Sequence, residues 1–378
     1  SSGYAPSCEP EDCAFLQYTS GSTGNPKGVM VGHGNLIANQ RAIAAAFGTG
    51  PDDVCVSWLP MYHDMGLVGT LLHGLYMGFS CVLLASDNFT RDPMSWLDAI
   101  HRYRGTLSAA PNFGYEYCLR RLQDDDLQRL DLGCWRAAFN GAEAVSAATL
   151  EQFTARFAAH GFHRSAMMPV YGLAESSVGL AFPPLRRGPL IDRVERDTFM
   201  RSGRAMPAAA EQANALRFVS SGRPLPGHQL RVVDTAGHEL PEREEGRLEF
   251  RGPSSTSGYY RAADKTRQLF HDGWLDSGDL AYIANGELYV TGRTKDIIIR
   301  AGHNIYPEEL EQAVGNIAAV RNGRVAVFGS EDSRTGTERL IVLAETRSQD
   351  PAQRKRLRAE INTLASDLIG APPDEIVL

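Results

Sequence analysis

The stretch Tyr18-Thr-Ser-Gly-Ser-Thr-Gly-Asn-Pro-Lys-Gly28 places four Ser/Thr hydroxyls, three glycines and one lysine in eleven residues. Glycine reaches backbone conformations that let N–H groups close around an anion. Thr19, Ser20, Ser22 and Thr23 add hydroxyl donors, and Lys27 adds a mobile cation. The segment reads as a phosphate cradle, with a solvated Ser/Gly turn as the ordinary alternative. It is not a P-loop. Counting G-x-x-x-x-G-K-[ST] from Gly21 puts Pro26 before Lys27 and Gly28 after it, so the magnesium-binding hydroxyl is missing. The flanks differ as well: Cys13–Gln17 reads as a strand, and Val29-Met-Val31 as a second one. A helix signal follows only near Gly34-Asn35.

Outward from the cradle, residues 13–185 alternate short apolar runs with helical patterns, an α/β rhythm. Strands are expected at Val54–Trp58, Cys81–Leu84, Trp135–Phe139 and Met167–Tyr171. Helices are expected at Asn35–Phe47, Pro93–Tyr103 and Ala147–His160. Residues 185–215 show no core pattern and read as a loop or insertion. From Arg217 the rhythm becomes short strands and turns: Gln229–Val233, Gly246–Arg251, Leu280–Ile283 and Glu287–Val290. After Arg293, Pro307 opens a helix with two acids in its first turn, as the helix dipole favours. Strands at Arg324–Phe328 and Leu340–Ala344 precede a last helix from Pro351 with an apolar face of Leu357, Ile361, Leu364 and Leu368. Its Arg354, Lys355, Arg356 and Arg358 read as a solvated face, with contact to an acidic partner as the alternative.

At 378 residues the chain is long for one core. Its 43% hydrophobic and 22% charged residues are those of a globular protein. The net charge of −7 argues against a nucleic-acid partner. No run reaches the roughly 18 apolar residues of a membrane span. The first ten residues resemble no secretory leader, and six scattered cysteines suggest reduced thiols; a cytoplasmic location is expected.

Four further clusters could carry chemistry. Tyr62-His-Asp-Met-Gly66 follows a strand end, where α/β sheets place ligands, although His63 alone is more often structural. Tyr171-Gly-Leu-Ala-Glu175 offers a ring to stack on a base and, in Glu175, an oxygen ligand for Mg²⁺; a helix cap is the alternative. Asp279, before the strand Leu280–Ile283, could grip sugar hydroxyls or merely sit in a turn. Thr291-Gly-Arg-Thr-Lys-Asp296 reads as a polar hinge, with Arg293 able to reach a phosphate or ribose and Lys295 placed to absorb rotation, or as an ordinary linker.

Taken in order, Tyr18–Gly28, Asn140-Gly-Ala-Glu143, Tyr171–Glu175, Ser277–Leu280, Gly292–Asp296 and Asn304–Glu309 resemble the adenylate-forming superfamily of acyl-CoA synthetases, peptide-synthetase adenylation domains and luciferases. The stretches Trp58–Leu67, Trp96–Arg104 and Ala110–Cys118 are most similar to fatty acyl-AMP ligases. The resemblance implies a large layered α/β domain over 1–293, containing a β-rich subdomain at 217–292, and a small α+β lid over 294–378. It implies ATP-dependent activation of a fatty or related carboxylic acid to an acyl-adenylate, with Mg²⁺. The acyl group would then pass to a carrier-protein thiol, or to CoA if the chain is an acyl-CoA synthetase. In the acyl-AMP ligases, extra sequence in the large domain hinders the CoA step, and 185–215 is a candidate for it.

By resemblance, Thr19, Ser20, Gly21, Ser22, Thr23, Gly24 and Lys27 would hold phosphates, with Gly141, Glu143 and Gly172 also at the nucleotide. Tyr171 would pack on adenine, Glu175 would bind Mg²⁺, and Asp279 with Arg293 would bind the ribose. His63 would sit near the substrate carboxylate, and Asn112, Phe113 and Tyr115 near the acyl channel. Lys27, His63, Glu175 and Arg293 are the expected catalytic residues, and Lys295 the hinge. The family also has a long segment ahead of the loop and a late lysine that contacts carboxylate and α-phosphate. No residue up to Leu378 matches that lysine. The expectation is a piece of a longer enzyme with both domains incomplete, or a trimmed form with weak adenylation. A catalytically weak nucleotide- or acyl-binding module is the alternative of another class.

Overall fold

A computed structural model describes residues 7–19, 26–300, 303–321, 323–332 and 337–378. At its centre lies a parallel five-stranded sheet in the order Ser80–Leu83, Val54–Ser57, Leu107–Ala110, Ala137–Asn140, Met167–Pro169. Parallel strands need crossovers, and helices supply them on both faces. Successive strand residues therefore serve opposite cores. Val56, Ala138 and Met167 pack with Trp96, Tyr115, Trp135 and Phe153, under the helices Met94–Tyr103, Asn112–Arg121 and Ala147–Phe157. Cys55, Ala137 and Met168 pack on the other side with Ala42, Ile43, Phe47 and Phe79, under the helix His33–Phe47. The first core contains a connected aromatic cluster. Trp96 meets Trp135 edge-on at 5.3 Å and Tyr115 at 5.5 Å, an arrangement that favours edge-to-face contact.

The expected β-rich region is a second, antiparallel sheet of Gln229–Val233, Gly246–Arg251, Trp274–Ala284, Phe270–His271 and Glu287–Arg293. Asp279 does not precede a strand, as its turn-like neighbours suggest. It lies within the long strand Trp274–Ala284, where Gly278 takes φ +78° and the register with the neighbouring strands shifts. Only glycine adopts that backbone cheaply, and the resulting bulge re-aims the residue that follows.

Residues 185–215 are not a structureless loop. Ile191–Val194 pairs antiparallel with Leu216–Val219, and the helix Arg196–Ser202 sits between them. Val194 and Phe199 are fully buried against Tyr282, Tyr289 and Tyr306. The apolar residues here are too sparse to show a period, because each contributes one anchor to a core built by distant segments.

Residues 298–376 gather their own apolar cluster, including Leu310, Val314, Leu340, Val342, Leu357 and Ile361, which Met200 joins from outside. The strands Val325–Asp332 and Thr337–Ala344 form a hairpin, and Glu375–Val377 adds a parallel third strand. Arg354 and Arg358 are not merely a solvated face. Arg354 donates to the Leu378 carbonyl at 2.7 Å, and Arg358 donates to that of Ile376, so both fasten this strand to the last helix.

Candidate active site

The cradle is flanked by two antiparallel strands. Cys13–Thr19 pairs with Lys27–Gly32, Thr19 opposite Lys27, so the lysine stands at the mouth of the loop. The expected phosphate-binding residues Ser20, Gly21, Ser22, Thr23 and Gly24 lie outside the described residues. The second strand also binds the segment after Ser257: Met30 N–H donates to Gly258 O and Tyr260 N–H to Gly28 O. That pairing brings Tyr259 to Lys27. The ammonium lies 4.7 Å from the Tyr259 ring centre, a cation–π contact.

Beyond the ring, the Tyr259 hydroxyl donates to Glu175 Oε1 at 2.8 Å. The Thr256 N–H binds the Glu175 carbonyl at 2.8 Å, so backbone and side chain of Glu175 are both held. Burial lowers the Lys27 pKa, Glu175 opposes that shift, and the nearby Lys295 and Lys265 ammoniums reinforce it. Lys27, Glu175 and the expected hinge residue Lys295 therefore share one electrostatic environment.

Tyr171 and Asp279 form the second half. The Tyr171 hydroxyl donates to Asp279 Oδ2 at 2.5 Å, and Arg293 Nε lies 3.7 Å from Oδ1, since Asp279 and Arg293 face each other in register. Burial raises the Asp279 pKa, against Tyr171 and Arg293, which lower it; Glu175 adds to the rise. Tyr171 also sits well above its usual range, through burial first and then Asp279. Gly172 is obligatory here. A Cβ on it would stand 1.7 Å from the Val178 carbonyl oxygen, where the chain doubles back in an antiparallel turn. Ser177, just past Glu175, holds φ +65°, a strained conformation anchored by its hydroxyl bond to Ser254 O.

His63 lies on a nearby loop tied to the first hairpin by Gln17 Nε2–H to the Tyr62 carbonyl, 2.9 Å. Its Nδ1 is 2.9 Å from Asp64 Oδ1, and that hydrogen bond raises its pKa despite partial burial. Gly141 follows the strand Ala137–Asn140 and packs on Val170, immediately before Tyr171; a Cβ would meet the Val170 oxygen at 2.7 Å. Glu143 accepts the Phe113 N–H at 2.6 Å, and burial raises its pKa.

Two of the residues expected near the acyl channel are tied into the core. Tyr115 is fully buried, its hydroxyl donating to Phe139 O at 2.7 Å inside the aromatic core. Asn112 Oδ1 accepts from Asn140 Nδ2 and the Ser146 N–H, clasping two loops. Both polar groups are consumed internally. Phe113 is half exposed against the edge of Trp58. The apolar space lies elsewhere: a cavity of about 80 Å³ begins at Ala142, Asp64, Tyr171 and Gly172 and is walled by Ile43, Phe47, Met65, Phe139, Val178 and Phe182. Sequence reasoning missed both this cavity and Tyr259. The only signal for Tyr259 is an aromatic pair after the Ser/Thr/Gly run 254–258.

The geometry thus joins a cation, a carboxylate, a ring and a second carboxylate–arginine pair beside an apolar cavity, as binding of an anionic nucleotide next to an apolar acid requires. A family model described as AMP-binding enzyme matches residues 2–260. The chain belongs to the AMP-binding enzyme family. It is 38% identical over 362 residues to a putative acyl-CoA synthetase of Caulobacter vibrioides, covering 95% of this chain and 63% of that protein. It is 37% identical over 330 residues to a medium-chain-fatty-acid–[acyl-carrier-protein] ligase of Teredinibacter turnerae, covering 83% of this chain and 51% of that one. A solved structure from a study of fatty acyl-adenylate ligases of E. coli and L. pneumophila superposes with a TM-score of 0.93 at 38% identity, covering all of this chain and 68% of that one. The AMP-binding chain described here therefore spans between half and two thirds of these two curated relatives. Among its described residues no helix is long and apolar enough to cross a membrane.

Proposed function

We propose that this chain is the adenylate-forming part of a ligase that activates a fatty or related carboxylic acid with ATP. The observation that carries this reading is the convergence of Lys27, Tyr259 and Glu175 with Tyr171, Asp279 and Arg293, next to an apolar cavity that starts at Tyr171. In the proposed step a substrate carboxylate oxygen bonds to the α-phosphorus of ATP. The bond from that phosphorus to the bridging oxygen breaks, and pyrophosphate leaves with the electron pair. Lys27 and the cradle would neutralise the leaving phosphates, while Asp279 and Arg293 would hold the ribose and Tyr171 the adenine. His63, kept protonated to higher pH by Asp64, would orient the acid.

Glu175 suits Mg²⁺. Among the described residues no group of three or more His, Cys, Asp or Glu forms a closed cage. Mg²⁺ is commonly bound by one or two carboxylates together with substrate phosphates. When bound it would offset phosphate charge, and Tyr259 would fix which Glu175 oxygen remains available.

In the second step a carrier-protein phosphopantetheine thiol would take the acyl group and release AMP, in keeping with the carrier-protein ligase among the relatives. Residues 294–378 would act as a lid turning about Lys295, which lies in the turn between Arg293 and the strand Ile298–Arg300. Acid-dependent exchange of labelled pyrophosphate into ATP tests the reading. Exchange with accumulation of acyl-AMP supports it. Appreciable acyl-CoA on adding CoA would favour the synthetase function named for the Caulobacter relative. No exchange, with acyl-AMP still bound, would leave a binding module.

A further inference from the structure

The cavity beneath Tyr171 has two unlike ends. Its walls run along the parallel sheet, from Phe139 and Val170 at the carboxyl ends of their strands to Cys55 and Leu107 at the opposite edge. Ala142 at the first end is exposed, and Asp64, Met65 and Tyr171 are half-buried. At the other end Thr49, His73, Phe79, Cys55 and Leu107 are all buried, so that end is closed to solvent. One helical segment connects the two, presenting Met65, Gly69 and His73 in turn to the cavity. The middle of this segment, Leu67–Leu72, is π-helical and rises less per residue than an α-helix, so its eight residues make this depth at most about 12 Å.

The closed end is polar but self-satisfied. Gln40 Nε2 donates to Val68 O at 3.0 Å, which turns Gln40 Oε1 toward His73 Nδ1 at 2.5 Å. His73 therefore carries its proton on Nδ1, and Nε2 accepts from the Thr49 hydroxyl at 3.0 Å. Each of these side chains already has a partner within the group. A methyl terminus can rest on this surface without stranding a polar group, whereas a terminal carboxylate would lose its hydration against side chains already bonded to one another.

We propose that Thr49, His73 and Phe79 form the floor of the acyl compartment and restrict the acid to a straight, apolar-ended chain of medium length. The inference rests on the acyl-adenylate reading above. With staggered torsions throughout, a chain of roughly ten carbons fills such a depth. Gly69 leaves the midpoint of the wall open. A Cβ there would stand 3.8 Å from Val178 and 4.0 Å from Met65, so a larger side chain can enter the cavity without striking backbone.

Calorimetric binding of acyl-sulfamoyladenosines to the full chain tests this, using hexanoyl, octanoyl, decanoyl, lauroyl and palmitoyl forms. Affinity should rise about fourfold per added methylene up to near decanoyl, then fall for palmitoyl. A decanoyl analogue ending in a carboxylate should bind at least tenfold more weakly than decanoyl. Gly69→Leu should move the optimum to a shorter chain, and Phe79→Ala to a longer one, each checked for folding by circular dichroism. Palmitoyl binding as tightly as decanoyl, or a folded Gly69→Leu with an unchanged profile, would overturn the floor and leave the acyl-adenylate reading standing. Failure of every analogue, with AMP also unbound, would overturn both. If neither variant folds, the length profile of the unaltered chain decides.

Discussion

The Tyr259 hydroxyl donates to Glu175 Oε1 at 2.8 Å while the ring of the same tyrosine lies 4.7 Å beneath the Lys27 ammonium. One side chain from the β-rich half of the chain thus orders both charged groups of the proposed phosphate site. Removing only the hydroxyl separates these roles. Tyr259→Phe keeps the ring and should leave the melting temperature within a few degrees. It should lower acid-dependent pyrophosphate exchange about tenfold, the worth of one hydrogen bond to a charged group, ~1.4 kcal/mol. An unchanged exchange rate would remove Tyr259 from the site.

Gly172→Ala tests the backbone that carries Tyr171. The added methyl meets the Val178 carbonyl oxygen at 1.7 Å, so the strand pair must part. Destabilisation of about 3 kcal/mol or more is expected in urea unfolding, with weakened AMP binding. Full stability would show that the chain turns differently here.

Arg196 joins the 185–215 region to the C-terminal elements. It is buried, forms a bidentate pair with Glu309, and donates to the carbonyls of Asn214 at 2.8 Å and Leu368 at 3.1 Å. Arg196→Ala strands two carbonyls and a partly exposed carboxylate, at a cost of about 2–4 kcal/mol. Limited proteolysis should then cut within 303–378 earlier than in the parent chain. Unaltered proteolysis would mean that the pair contributes little to holding these elements.

The buried His73 sets a pH dependence. Burial lowers its pKa from 6.5 to about 4, so across that window the unfolded chain binds a proton that the folded chain refuses. Stability must then rise with pH from about 4 to 6.5 and gain nothing further from this group above that. The amplitude is ~3 kcal/mol. His73→Asn removes the titration, so its unfolding free energy should depend less steeply on pH in this window than that of the parent. Equal slopes would show that His73 is not a neutral buried group.

Much of this architecture is written in local patterns. The alternation of apolar runs and helical periods announces an α/β sheet because four of its five strands are buried on both faces. Pro26 and Gly28 distinguish the cradle from a P-loop because they replace the glycine before the lysine and the hydroxyl after it. The region 185–215 was illegible for the opposite reason: Val194 and Phe199 are isolated apolar residues whose partners, Tyr282 and Tyr306, lie far away in sequence.

The candidate site divides along the same line. Lys27, Tyr171, Glu175, Asp279 and Arg293 stand out in the sequence by their chemistry and their neighbours. Tyr259 at Glu175, Tyr171 at Asp279 and His73 between Gln40 and Thr49 are pairings across tens of residues or more, and no local period encodes them. Asn112 and Tyr115 show the converse, since the family resemblance suggested a channel while the structure shows their polar atoms bonded within the core. By itself, then, the sequence determined which groups are present and which strands and helices carry them. Only the tertiary structure settled which polar atoms are already spent on one another, because a hydrogen bond depends on distance in space, not on separation along the chain.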